Sequence, residues 1–133
     1  MKTRKNIAAD KKRCGTHNCA QAVTCTYCDL VGLPEQTALD MAGAFGSGLG
    51  SKEGTCGALV GAGVIVGLVT RDRFLARSRM NQIMNRFQER NGATQCKLLM
   101  GVDTGTPLRD CNDCVADASE FLEDILDEAA GRQ

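Results

Sequence analysis

The chain is predicted to fold as an all-α protein: a compact bundle of about five helices plus a short helical turn, with a glycine-rich loop before a central apolar helix. Three observations predict it. Apolar residues recur at helical spacing along most of the sequence, and no segment alternates as a half-buried strand would. Cap residues and glycines bracket the periodic stretches. The 133 residues are enough for one hydrophobic core, so 1–133 reads as a single helical, cysteine-rich domain.

Residues 1–14 are basic and read as a flexible lead-in. The first helix is expected over 19–31, closed by Gly32, with Asn18 and Gln21 as a capping-box variant in which Asn replaces Ser or Thr. Pro34 suits the first turn of a second helix that runs to Ala44. The glycine-rich loop 46–54 follows. A third helix over 56–70 is apolar on nearly all sides and therefore central. Its small residues, among them Gly57, Gly61, Gly63 and Gly67, each cost about 1 kcal/mol against alanine inside a helix. That cost points to another backbone packed closely against it, and less strongly to a cofactor. Asp72 and Gly92 bound a fourth helix over 73–91. A short turn at 95–100 and the loop 101–109 lead to the last helix, 111–129, with Val115, Ala118, Leu122, Ile125 and Leu126 on one stripe.

Formal net charge is zero, which gives no footprint for nucleic acid. The charge is unevenly spread: residues 1–13 hold six Lys or Arg against one acid, and residues 110–128 hold eight acids and no base. A solvated arm and a solvated outer helix face account for both, and a docking surface for charged partners is the alternative. No apolar signal region follows the basic start. The apolar run Ala58 to Val69 is too short and too glycine-rich to span a bilayer, so no membrane insertion is expected and the chain reads as cytoplasmic.

In a reducing compartment, eight cysteines (14, 19, 25, 28, 56, 96, 111 and 114) favour metal ligation or thiol chemistry over a disulfide framework. Small buried hydrophobes are the plain alternative for any one of them. Four fall at expected helix starts behind a cap residue: Cys19, Cys56, Cys96 and Cys111. A thiol there meets unpaired N–H groups and the positive end of the helix dipole, both of which favour thiolate, and Cys56, flanked by Gly54 and Gly57, is expected to be the most activated, with the helix end outweighing burial. These four should converge inside the bundle with Cys114 adjacent. At 100° per residue Cys25 and Cys28 lie opposite Cys19, as a separate pair at an interface or on a partly exposed face. Cys14 lies on the lead-in. His17 is read as a solvent-facing residue rather than a fourth ligand. Neither CxxC is followed by histidine, which excludes c-type haem attachment, and neither has the strand–helix context of thioredoxin chemistry.

The same residues carry a family resemblance. Cys56-Gly57-Ala58-Leu59-Val60-Gly61, with Asn18-Cys19-Ala20-Gln21-Ala22-Val23 before it and Cys96 and Cys111 after it, resembles the signature of the C-GCAxxG-C-C family of redox-active proteins, across about residues 18 to 126. The resemblance maps the four family cysteines onto Cys19, Cys56, Cys96 and Cys111 and implies a helical redox protein. A related domain in split-Soret cytochrome c holds an iron–sulfur cluster, which implies a similar cluster here, without haem. Cysteines 14, 25, 28 and 114 are additional to the pattern.

The first expectation is therefore electron transfer through an iron–sulfur cluster on thiolates Cys19, Cys56, Cys96 and Cys111, with Cys114 as a possible extra ligand and a redox partner protein. The second is a metal-free dithiol enzyme or sensor, a thiol-dependent oxidoreductase with Cys56 and Cys19 as its catalytic pair. Structural zinc on four thiolates comes third, disfavoured because zinc ligands usually come as short CxxC pairs. A helical interaction module with inert cysteines is the last, and a homodimer is compatible with any of them.

Overall fold

A computed structural model describes residues 1–132 and contains seven α-helices: α1 Lys5–Arg13, α2 Cys19–Tyr27, α3 Glu35–Ala42, α4 Gly57–Thr70, α5 Arg73–Asn91, α6 Cys96–Met100 and α7 Cys111–Ala129. No strand is present among the described residues, and one isolated antiparallel bridge joins Thr55 to Gln95. A 3₁₀ turn, Cys28–Val31, completes the first predicted helix, with Gly32 left-handed at its end.

The apolar α4 takes the central place its composition predicts, packed on α2, α5 and α7. Glycine decides how closely α2 can approach. A Cβ on Gly61 would lie 2.6 Å from the Ala20 carbonyl oxygen and 3.2 Å from the Ala20 Cα, so nothing larger fits between the backbones. Around that contact lie the fully buried Val23, Tyr27, Leu59, Ile65, Ile83, Phe87 and Leu122. The predicted stripe of α7 is buried along its length.

The charge-rich ends differ from expectation. Where composition predicts a flexible basic lead-in at 1–14, residues Lys5–Arg13 form α1, which packs on α7 and α2 through the buried Ala8 and Ala9. The acidic face of α7 is its counterpart rather than a purely solvated surface. Lys5 pairs with Glu120 at 3.0 Å, and the terminal amino group pairs with Asp127 at 2.9 Å. The buried Glu123 accepts from the Arg4 N–H at 2.7 Å and from the Tyr27 hydroxyl at 2.5 Å. Buried Asp117 accepts from Arg90 at 2.9 Å, Arg109 at 3.0 Å and Asn91 at 3.2 Å. A carboxylate can stay charged out of water only with such partners. The opposite charges of the two chain ends thus meet within the molecule.

The glycines of α4 separate into two kinds. Gly61 is required by the α2 contact, whereas a Cβ on Gly67 would meet nothing within 4 Å. Gly61→Ala should therefore lower stability by about 1–3 kcal/mol through overpacking. Gly67→Ala should raise it by about 0.5–1 kcal/mol through helix propensity. Urea unfolding of the reduced protein measures both, and a loss at Gly67 matching that at Gly61 would contradict this packing.

Candidate functional site

Four helix starts converge at one end of α4. The Thr55–Gln95 bridge brings two of them side by side: the Cys56 N–H donates to the Thr94 carbonyl at 2.8 Å, and the Cys96 N–H donates to the Gly54 carbonyl at 2.9 Å. Cys56 thereby becomes the N-cap of α4, and Cys96 opens α6. Cys19 opens α2 behind the predicted capping box, in which the Gln21 N–H donates to Asn18 at 2.8 Å and the Asn18 N–H donates to Gln21 at 2.9 Å. Its sulfur lies where a side chain on Gly57 would be, 2.5 Å from the Cβ position. Asp110 caps α7 by accepting from the Asn112 N–H at 2.8 Å, which sets Cys111 in the first turn and Cys114 one turn further in.

The glycine-rich segment is a strained cover over these ends. Ser47, Leu49 and Lys52 adopt left-handed φ of 52°, 61° and 66°, sparsely populated for residues with a Cβ. The turn carries the Ser47 N–H to the Cys19 sulfur. Gly48, at φ 57°, lies so close to Cys96 that a Cβ would come 2.5 Å from the Cys96 Cβ.

The result is a single cavity of about 120 Å³ lined by Cys19, Cys56, Cys96, Cys111 and Cys114. The four expected to converge do so, and Cys114 joins them. Lys12 and Arg109 also line it, as does Met100, whose sulfur is 3.6 Å from that of Cys96. Sequence reasoning missed the two cations. Lys12 belongs to the unforeseen α1, whose signal was its run of Lys11, Lys12 and Arg13, suited to a helix C-terminus. Arg109 is delivered by the loop 101–109, where the Leu108 and Arg109 N–H groups return to the Leu99 carbonyl.

Three cysteines lie elsewhere. Cys25 and Cys28 are buried with Ala38 of α3 in a separate small cluster, so they are covered rather than on a partly exposed face. Cys14 is exposed at the end of α1. His17 is half-buried, bonded to Thr16 at 2.7 Å, and does not line the cavity.

Burial opposes the helix ends, and the outcome differs by thiol. Cys56 is held below the ordinary cysteine value: the Cys114 thiol donates toward its sulfur, and the Ala58 and Leu59 N–H groups add to that against desolvation. Cys114, the donor, is pushed up by the same contact and by burial. Cys96 is pushed up to about 11 by desolvation and by the other thiols around it. Desolvation also raises Cys19 and Cys111, against the Ser47 N–H at the first and Lys12 at the second. Cys56, expected to be the most activated of the helix-start thiols, is the one held low, while the pull toward thiolate expected at the other three is outweighed by desolvation. Cys56 is as buried as Cys19 and Cys96, so the difference lies in the Cys114 donor beside it, and Cys96 opens a helix of only five residues. Cys114 acts on Cys56 most strongly, and Cys19, the dithiol partner expected from the sequence, lines the same cavity.

Compared with known proteins, residues 17–125 match the sequence model of the family described as "Putative redox-active protein (C_GCAxxG_C_C)". No curated protein and no solved structure matches the chain.

In reduced, metal-free protein, Cys56 should form its thiolate at a lower pH than any other cavity cysteine, and Cys96 only near pH 11. Iodoacetamide labelling read residue by residue against pH measures this. Cys114→Ala should raise the Cys56 midpoint, and Cys114→Ser, which keeps a donor, should raise it less. A Cys56 midpoint at or above that of a free thiol would overturn the assignment.

Proposed function

The chain belongs to the C-GCAxxG-C-C family of redox-active proteins, and on that premise we propose that it transfers electrons through an iron–sulfur cluster held by Cys19, Cys56, Cys96 and Cys111, with Cys114 as a spare thiol beside Cys56. The observation that carries this reading is the gathering of five thiols around one cavity of about 120 Å³. One water-sized probe needs about 10–15 Å³, so the space suits a polyatomic group better than a single ion. Four sulfurs on zinc would close to about 2.3 Å from the metal and leave such a cavity largely unfilled.

The donor set fits the chemistry of such a cluster. Thiolate sulfur is its usual ligand, and N–H groups directed at sulfur, with burial, tune its potential. Here the Ser47 and Ala20 N–H groups face the Cys19 sulfur and the Ala58 N–H faces the Cys56 sulfur, while the Leu59 N–H donates to the Cys56 carbonyl at 3.0 Å. Lys12 and Arg109 would offset the negative charge of several thiolates, while Leu99 and the glycine-rich turn limit water. When bound, the cluster would supply one-electron transfer, and a partner protein would deliver or accept the electron.

A second reading, metal-free thiol–disulfide exchange, is favoured by one observation: the contact of Cys56 with Cys114, which sets an activated thiol against a second one that could resolve a mixed disulfide.

Protein purified without oxygen should be brown and contain iron and acid-labile sulfide. Cys56→Ala should abolish both, and Cys14→Ser should leave both unchanged. Colourless, iron-free wild-type protein that forms a Cys56–Cys114 disulfide on mild oxidation would contradict the cluster and establish the second reading.

A further inference from the structure

A second recess adjoins the thiol cavity. It is a groove of about 340 Å³ that shares Lys12, Met100, Arg109 and Cys111 with the inner cavity and adds Arg13 and Asp110 at its rim. The shared lining makes Cys111 the doorway between the two. It is half-buried, while Cys19, Cys56, Cys96 and Cys114 are between 2 % and 7 % exposed. A reagent that enters from solvent through this groove meets Cys111 first.

The groove is cationic. Arg13 is paired with Asp10, and Arg109 is paired with Asp117 at 3.0 Å. The rim carboxylate, Asp110, is turned to the Asn112 N–H at the start of α7. Lys12 makes no ion pair and no side-chain hydrogen bond among the described residues, and it lines both recesses beside Cys111. Lys12, Arg13 and Arg109 outnumber the one lining carboxylate, Asp110, and an ammonium without an ion pair beside a reachable sulfur favours a small anion that reacts with thiols.

We propose that this groove binds a carboxylate-bearing low-molecular-weight disulfide, which converts Cys111 to a mixed disulfide when no cluster holds it. Lys12, with the guanidinium edge of Arg109, positions the carboxylate. The Cys111 thiolate attacks the nearer sulfur of the bound disulfide, a new S–S bond forms to Cys111, and the original S–S bond breaks. The departing half leaves as a thiolate and takes up the proton that Cys111 lost, so Cys111 is oxidised and that half of the reagent is reduced to a thiol. The product closes the doorway of the cavity. This inference goes beyond the cluster reading, since it concerns the chain without a cluster.

Two matched disulfides of opposite charge test it on the reduced, cluster-free full chain: dithiodipropionate, a dianion, and cystamine, a dication. Peptide mass spectrometry follows modification of Cys111, and free N-acetylcysteine amide, a neutral thiol in the same solution, serves as the reference because Cys14 adjoins the same Lys11, Lys12 and Arg13. The ratio of the Cys111 rate to the reference rate should be about fivefold or more higher with the dianion than with the dication, and salt should flatten the difference. Lys12→Glu should remove the preference and Lys12→Gln should reduce it, with circular dichroism confirming the fold. Equal ratios for the two reagents in wild-type protein would overturn the proposal, as would a preference that survives Lys12→Glu. The readout is a modified thiol, so purified protein that contains no iron sinks the cluster reading and leaves this one standing.

Discussion

The close approach of α4 to α2 is the constraint on which the rest of the molecule depends. Gly61 lets the Ala20 backbone come within van der Waals distance, and Gly57 leaves its own side-chain volume to the Cys19 sulfur. With that contact made, the start of α2 and the start of α4 lie together. The Thr55–Gln95 bridge then adds the start of α6, and the packing of α7 on α4 adds the last. Each glycine lowers the intrinsic helicity of α4, and burial of the surrounding core offsets that cost. The site is thus a consequence of how the central helices pack, and only its outer wall is built from loops.

Within the cavity two physical effects compete over the same atoms. Helix starts offer N–H groups and a favourable dipole to thiolates, and burial withdraws the water that thiolates need. At Cys19, Cys96 and Cys111 burial prevails. At Cys56 a neighbouring thiol donor tips the balance the other way. One activated sulfur among several protonated ones accounts for how a metal-free chain could keep its thiols together without losing protons from all of them. It also makes the site receptive to any group that displaces those protons, since ligation and deprotonation go together.

Much of this was legible in the sequence. The caps Asn18, Asp72 and Asp110 marked helix starts that the structure places within a residue or two, and the all-round apolarity of 57–70 announced a central helix. Convergence of four cysteines followed from those starts. What escaped was long-range. Lys12 reaches the cavity because a basic helix lies across an acidic one, and no local pattern in either announces that pairing. Cys114 was expected beside the four, but that it acts on Cys56 in particular follows from the register between α7 and α4, which spacing along α7 alone does not set. The low Cys56 value was legible in its helix start and flanking glycines, but the raised values of Cys19, Cys96 and Cys111 were not, because desolvation depends on what packs over a helix start.

A trivalent arsenical tests the convergence of these thiols most directly, because it bridges two sulfurs only where they are already close. With one equivalent of phenylarsine oxide on the reduced, metal-free chain, peptide mapping should find bridges drawn from Cys19, Cys56, Cys96, Cys111 and Cys114. The separate cluster should give a Cys25–Cys28 bridge and nothing that joins it to the five. Bridges between the two groups, or none among the five, would contradict a single thiol cavity.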